Sequence, residues 1–211
     1  MSGAGSIERG SFCLQPFRAL PPPMTDMSVA SGESADRQLV RRFLRSRSER
    51  SFLRLYDNHA QALYRMALRL ASGAGAEAEE IVQETWIRAV QGLADFGWHS
   101  TLRTWLIGIA VNVARERRRR QTRNQPRPAL QVVEGGRSPG AKLDLERAIA
   151  GLSPAYREVL LLHDVEGYTH REVGQMLGID EGSSKSRLSR ARRVLRERLA
   201  ARGGRVHVRR P

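Results

Sequence analysis

Cysteine is almost missing from this chain: Cys13 stands alone among 211 residues. No disulfide can close within one molecule, which points to a reducing compartment, the cytoplasm. Histidine is sparse and scattered (His59, His99, His163, His170, His207), and no Cys/His cluster has metal-ligand spacing. No Ser/His/Asp set, paired-carboxylate arrangement or phosphate loop can be assembled; Gly182–Ser186 has the composition of a phosphate loop's end without the upstream glycine and strand. The chain is therefore expected to be no enzyme and to carry neither cofactor nor metal. Long apolar runs are missing too: the longest, Trp105–Ala114, is interrupted by Gly108 and Asn112, far short of a bilayer span. No basic start leads into an apolar run, so no secretory signal is expected. Acidic residues are the last shortage. Only 22 Asp and Glu face 36 Lys and Arg, a formal charge of +14 that favours a polyanionic partner.

What is present is helical periodicity in two blocks. Residues Met1 to Asp36 carry Gly, Ser and the run Pro21–Pro23, and read as a disordered extension; Met24 and Met27 offer alternative translation starts. From Arg37 to Arg120 apolar residues recur at three and four, as a buried helix face requires. Leu39, Val40, Phe43 and Leu44 form one stripe, and Phe52, Leu55, Tyr56, His59, Leu63, Met66 and Leu70 a second, closed by Gly73 and Gly75. A third helix runs from Glu77 to Leu93 on Ile81, Val82, Thr85, Trp86, Ala89 and Val90, with an acidic first turn that suits the helix dipole. A short loop, Asp95–Ser100, precedes a fourth helix through Leu102, Trp105, Leu106, Ile109 and Val113, which ends in Arg117–Arg120. Pro126, Pro128, Gly135, Gly136, Pro139 and Gly140 then make residues 121–141 a flexible linker. A second helical unit spans 142–202, and 203–211 is a basic tail. No stretch alternates as a strand would. The expected fold is all-α: two small helical domains joined by a flexible linker.

The second unit contains the most telling pattern, Gly167 to Leu199. Thr169 and Glu172 have capping-box spacing, Val173, Leu177 and Ile179 supply an apolar core, and Gly178 suits a turn of positive φ. A basic helix follows. This is the layout of a helix-turn-helix, whose second helix enters the major groove. Ser183, Lys185, Arg187 and Arg190 lie at the start of that helix, where side chains reach bases and phosphates. A solvated basic helix would explain the charge alone, but not its coincidence with the cap and the turn glycine. In the first unit, four consecutive arginines exceed what a helix dipole needs, so nucleic acid is favoured there as well. Trp98 either stacks on an unpaired base or caps the core; the spacing leaves both open. Glu79, Glu80, Gln83, Glu84 and Arg88 form a polar stripe, which is ordinarily only a solvated face.

Taken together, AEEIVQETWIRAVQGLADF at 78–96 and STLRTWLIGIAVNVARERRRR at 100–120 resemble the promoter-melting domain of bacterial RNA polymerase sigma factors. LSPAYREVLLLHDVEGYTHREVGQMLGIDEGSSKSRLSRARRVLRERL at 152–199 resembles their promoter-binding C-terminal domain. Two such domains and only a linker between them resemble the extracytoplasmic-function group. The resemblance implies a non-catalytic initiation factor that binds core RNA polymerase, promoter DNA and, commonly in that group, an anti-sigma factor. It implies polymerase docking through Glu80, Gln83 and Glu84. It assigns the minus-ten element to Trp98 and its loop together with Asn112, Arg115 and Arg119, and the minus-thirty-five element to Ser183, Lys185, Arg187 and Arg190. Two departures stand out. The family usually has Gly-Thr-Val before the Lys-Ser-Arg triplet, where this chain has Gly182-Ser183-Ser184. Gly174 stands where alanine is usual, a cost of roughly 1 kcal/mol to that helix. The rival readings are a stand-alone helix-turn-helix regulator and an RNA-binding regulator; the latter lacks the aromatic platforms and glycine-rich loops of common RNA modules.

Overall fold

The computed structural model describes residues 27–124 and 141–203. The readings made above for residues 1–26, for 125–140 of the linker and for 204–211 lie outside the described residues.

Helix α1 (Met27–Ser46) starts ten residues before the apolar periodicity does. The extension is therefore helical from Met27, not disordered to Asp36. Its Ser- and Gly-containing first turns carry no apolar stripe, so periodicity gave no sign of them. Asp36 anchors this end to the next helix, its Oδ1 lying 3.1 Å from His59 Nε2. Helix α2 (Glu49–Leu70) is capped by Ser48, whose hydroxyl accepts from the Ser51 amide, and buries Leu55, His59, Leu63, Met66 and Leu70 along one stripe. Gly73 takes φ +91° in the connection, as only glycine does freely. Gly75 does not terminate α2; it opens α3 (Gly75–Gly92). There Ala78, Ile81, Val82, Thr85, Trp86 and Ala89 are buried, and the Thr85 hydroxyl donates to the Ile81 carbonyl at 2.6 Å. A single 3-10 turn (Leu93–Asp95) leads to the loop before α4 (Leu102–Asn124). Leu102, Leu106, Ile107, Ala110, Val111, Val113 and Ala114 bury the first half of α4 against α2 and α3. Each large aliphatic among them contributes about 1.5–3 kcal/mol by leaving water.

The second unit comprises α5 (Ala141–Ala150), α6 (Pro154–Leu160), α7 (His170–Leu177) and α8 (Glu181–Gly203). Pro154 sits in the first turn of α6, where its missing N–H costs nothing. The end of α6 widens into one π-type turn over Leu161–Val165, closed by the Glu166 amide donating to the Leu161 carbonyl at 3.0 Å. Thr169 and Glu172 form the complete capping box of α7, and Gly178 adopts the left-handed conformation (φ +64°) that turns the chain into α8. No strand occurs among the described residues.

The sequence suggested two units held apart by a linker. In the structure they pack on one another, and their apolar cores merge into one cluster. Polar contacts line the seam. Arg69 forms a bidentate pair with Glu146 (2.7 Å at the shorter contact), Arg103 pairs with Glu166 (2.9 Å), and the Tyr168 hydroxyl reaches the Thr104 carbonyl at 3.4 Å.

Candidate nucleic-acid interface

Helix α8 divides its length cleanly. Ser184, Leu188 and Ala191 are buried against α6 and α7, spaced at four and three. Ser183, Arg187 and Arg190 repeat the same spacing one position earlier; Ser183 and Arg187 are half-buried and Arg190 is exposed. The helix therefore offers a basic row beside its anchoring row. Two of the four predicted upstream-element residues are already engaged. Ser183 closes the N-terminal cap: its amide donates to Asp180 Oδ1 at 2.7 Å and its hydroxyl to Oδ2 at 2.5 Å. These bonds hold the Asp180 carboxyl below its ordinary pKa. Lys185 pairs with Glu181 one turn back at 2.6 Å on the exposed surface, so the pair is worth little and yields readily to a phosphate.

The residues predicted for the downstream element lie on α4 and the loop before it. Asn112, Arg115 and Arg119 follow each other at three and four, so they share a face of α4. Arg115 is not free. Its Nε lies 3.8 Å from Glu158 of α6, and burial lowers its pKa, with Arg118, Arg119 and Arg187 adding like-charge repulsion against the attraction of Glu158. The arginine run is thus divided. Arg117 pairs with Glu80, Arg118 hydrogen-bonds Glu158, and Arg119 and Arg120 are exposed. Trp98 adopts φ +55°, packs on Phe96 with ring centroids 4.8 Å apart and lies beneath the Arg37 guanidinium at 5.1 Å. It is half-buried and packs against the core.

The polar stripe of α3 is also partly spoken for. Glu80 faces Arg117, and Glu84 pairs with Arg88 at 2.8 Å while Arg88 also grips Glu116. Gln83 is exposed. Beside it, Phe52, Tyr56, Tyr64, Val82, Trp86 and Ile87 line a mostly apolar groove of about 850 Å³ between α2 and α3. Trp86 Nε1–H is buried there with no hydrogen-bond partner among the described residues.

Two family models cover these surfaces in order. Sigma-70 region 2 matches residues 55–124, and sigma-70 region 4 matches residues 142–195. An ECF RNA polymerase sigma factor, SigL of Mycobacterium tuberculosis, is 36% identical over 151 residues, which is 67% of this chain and 85% of that protein. The chain belongs to the sigma-70 family, in its ECF group. SigE of Mycolicibacterium smegmatis, also an ECF sigma factor, is 34% identical over 69% of this chain; the match spans 60% of that relative's length. Among solved structures, the sigma factor RpoE of Bartonella quintana, crystallised with the anti-sigma factor NepR, superposes with a TM-score of 0.58 at 26% identity, covering 71% of this chain and 96% of that one. CnrH, in complex with the cytosolic domain of CnrY, gives 0.53 at 28%, covering 79% and 98%. The fold is therefore the two-region helical fold of ECF sigma factors.

Two residues that matter to this sigma factor escaped the sequence reading. Arg157, 4% exposed, sends its guanidinium to the carbonyls of Ile149 and Ala150 at the end of α5, of Leu152 just beyond it and, across the seam, of Leu70 at the end of α2 (3.0 Å). Desolvation pushes its pKa down to about 10, which leaves it charged at neutral pH. Glu158, equally buried, faces Arg115 and Arg118. Both stand immediately before an apolar run, Val159–Leu162, where a neighbouring charge reads as an exposed helix face. An ion pair between residues 40 apart in sequence leaves no local signal.

Proposed function

We propose that this sigma factor brings core RNA polymerase to a promoter through three surfaces. Helix α3, with Glu80, Gln83 and Glu84 and the groove beside them, docks on the polymerase. Trp98, Asn112, Arg115 and Arg119 hold the minus-ten element, where extruding a base costs a few kcal/mol that stacking and pocket contacts must repay. Ser183, Lys185, Arg187 and Arg190 lie against the minus-thirty-five element in the major groove. The chain does no nucleotide chemistry; the polymerase does. Residues 37–120 and 142–202 act as the two promoter-binding units and residues 121–141 as the connection between them. An anti-sigma factor is the further partner, by analogy with RpoE bound to NepR. The single observation that carries the reading is the basic row of α8, set beside its buried row behind a left-handed glycine turn.

Run-off transcription with purified core polymerase tests it. Promoter-dependent product should require this chain. Duplex binding that is tight and sequence-specific without polymerase, and no transcript with it, would instead make the protein a stand-alone regulator.

A further inference from the structure

Ser184 is the first buried position of α8, with no exposure at all. A hydroxyl buried so completely needs a partner. It has one from the neighbouring helix: His170 Nδ1, at 3.0 Å. His170 is the first residue of α7 and is itself braced. Its ring stacks on His163, with centroids 4.2 Å apart and planes 12° from parallel. His163 Nδ1 in turn donates to the Tyr168 carbonyl at 2.7 Å; a carbonyl only accepts, so that proton is on Nδ1. The π-type turn carries His163 toward α7 and the adjacent Asp164 toward α8, where Arg192 grips it at 2.6 Å. Helix α8 is thus held near its start by Ser184 and farther along by Arg192.

The turn is also unusually tight. A Cβ on Gly174 would lie 2.7 Å from the Ile179 carbonyl oxygen, so the backbone after Gly178 presses directly on α7. Gly174 and His170, one turn apart on α7, thus both bear on the start of α8: the missing Cβ admits the close turn, and the hydrogen bond to Ser184 fixes the helix that the turn delivers. We propose that His170 and Ser184 are positioning residues that set the depth and angle at which α8 presents Arg187 and Arg190, and so set which upstream promoter sequences this sigma factor accepts. This rests on the assignment of α8 to the major groove. The two residues act through the basic row and touch no base themselves.

The test uses holoenzyme, core polymerase with the full chain, and duplexes of a promoter mapped by run-off transcription with its upstream hexamer randomised. His170→Ala and Ser184→Val should widen the set of hexamers recovered by about fourfold, the loss of discrimination at roughly one base pair. His170→Asn keeps a polar atom near the Nδ1 position and should restore the wild-type set. The double variant His170→Ala with Ser184→Ala should widen it no further than either single change. Lower thermal stability with an unchanged hexamer set in His170→Ala and Ser184→Ala would overturn the inference and leave the pair a plain packing contact. A wild-type chain that transcribes but shows no hexamer preference would overturn the assignment of α8 itself, and this inference with it.

Discussion

Arg157 donates to four backbone carbonyls while almost fully buried, which makes its replacement an informative single change in the chain. Methionine would fill much of the volume but leave the carbonyl ends of α5 and α2 unpaired. The expected cost of Arg157→Met is about 3 kcal/mol or more, read as a fall in the urea midpoint; a change under about 1 kcal/mol would mean that water replaces those bonds. Gly174 gives a prediction of opposite character. On helix propensity alone Gly174→Ala should stabilise by about 1 kcal/mol. The contact with the Ile179 carbonyl reverses the sign, and a net loss of about 1–3 kcal/mol is expected, as for other overpacked sites. His170 supplies a pH dependence. Its pKa is lowered, first by burial, then by the charges of His163 on the π-type turn and of Lys185 and Arg192 on α8, with Glu181 opposing. The folded state therefore binds this proton more weakly than the unfolded chain does. Stability is whole above the unfolded value of about 6.5 and declines as pH falls below it. The urea midpoint at pH 5.5 relative to pH 7.5 should fall less in His170→Asn than in the wild type; equal falls would assign the effect to other groups.

Among the elements, those with an apolar stripe and a cap were legible and those defined by contacts across space were not. The capping box at Thr169 and Glu172, the left-handed Gly178 and the stripes of α2 and α3 all stand where periodicity and turn chemistry put them. Thr169→Ala should cost about 1 kcal/mol of thermal or urea stability, the usual worth of such a cap. The first turns of α1 went unread because Ser28–Ser34 has no stripe to read. The polar stripe of α3 was legible as a stripe, its Glu84–Arg88 pair at i,i+4 included, but the pairing of Glu80 with Arg117 and of Arg88 with Glu116 depends on where α4 crosses α3, which no local pattern encodes. That pairing changes how docking is best tested. Reversing Glu80 and Glu84 would also break contacts within the fold. Gln83 is exposed and borders the groove, so Gln83→Arg leaves those pairs intact. It should weaken association with core polymerase in sedimentation by about tenfold, like-charge or steric mismatch at an interface costing at least that much. Unchanged association would move the docking face off α3.

Across the molecule, the seam between the two units sets one demand of promoter binding against another of folding. Glu158 holds Arg115 and Arg118, and Arg187 of α8 stands close enough to Arg115 to repel its charge. A carboxylate here occupies arginines of the helix assigned to the minus-ten strand, much as a phosphate would. The buried glutamate also offsets like charges that the packed arrangement brings together. Neutralising it should do two things at once. Glu158→Gln keeps the size and some hydrogen bonding but removes the charge, so the seam weakens and Arg115 and Arg118 become available. The isolated chain should then bind a single-stranded minus-ten oligonucleotide several-fold more tightly in fluorescence anisotropy, with a steeper salt dependence by about one to two released counterions. Its thermal midpoint should fall, because two partly buried guanidinium groups lose their partner. The two readouts separate the cases. Tighter binding with a steeper salt slope means that Glu158 competes with DNA for these arginines. A lower midpoint with unchanged binding means that Arg115 and Arg118 serve the seam alone, and the minus-ten contacts then fall to Asn112, Arg119 and Trp98.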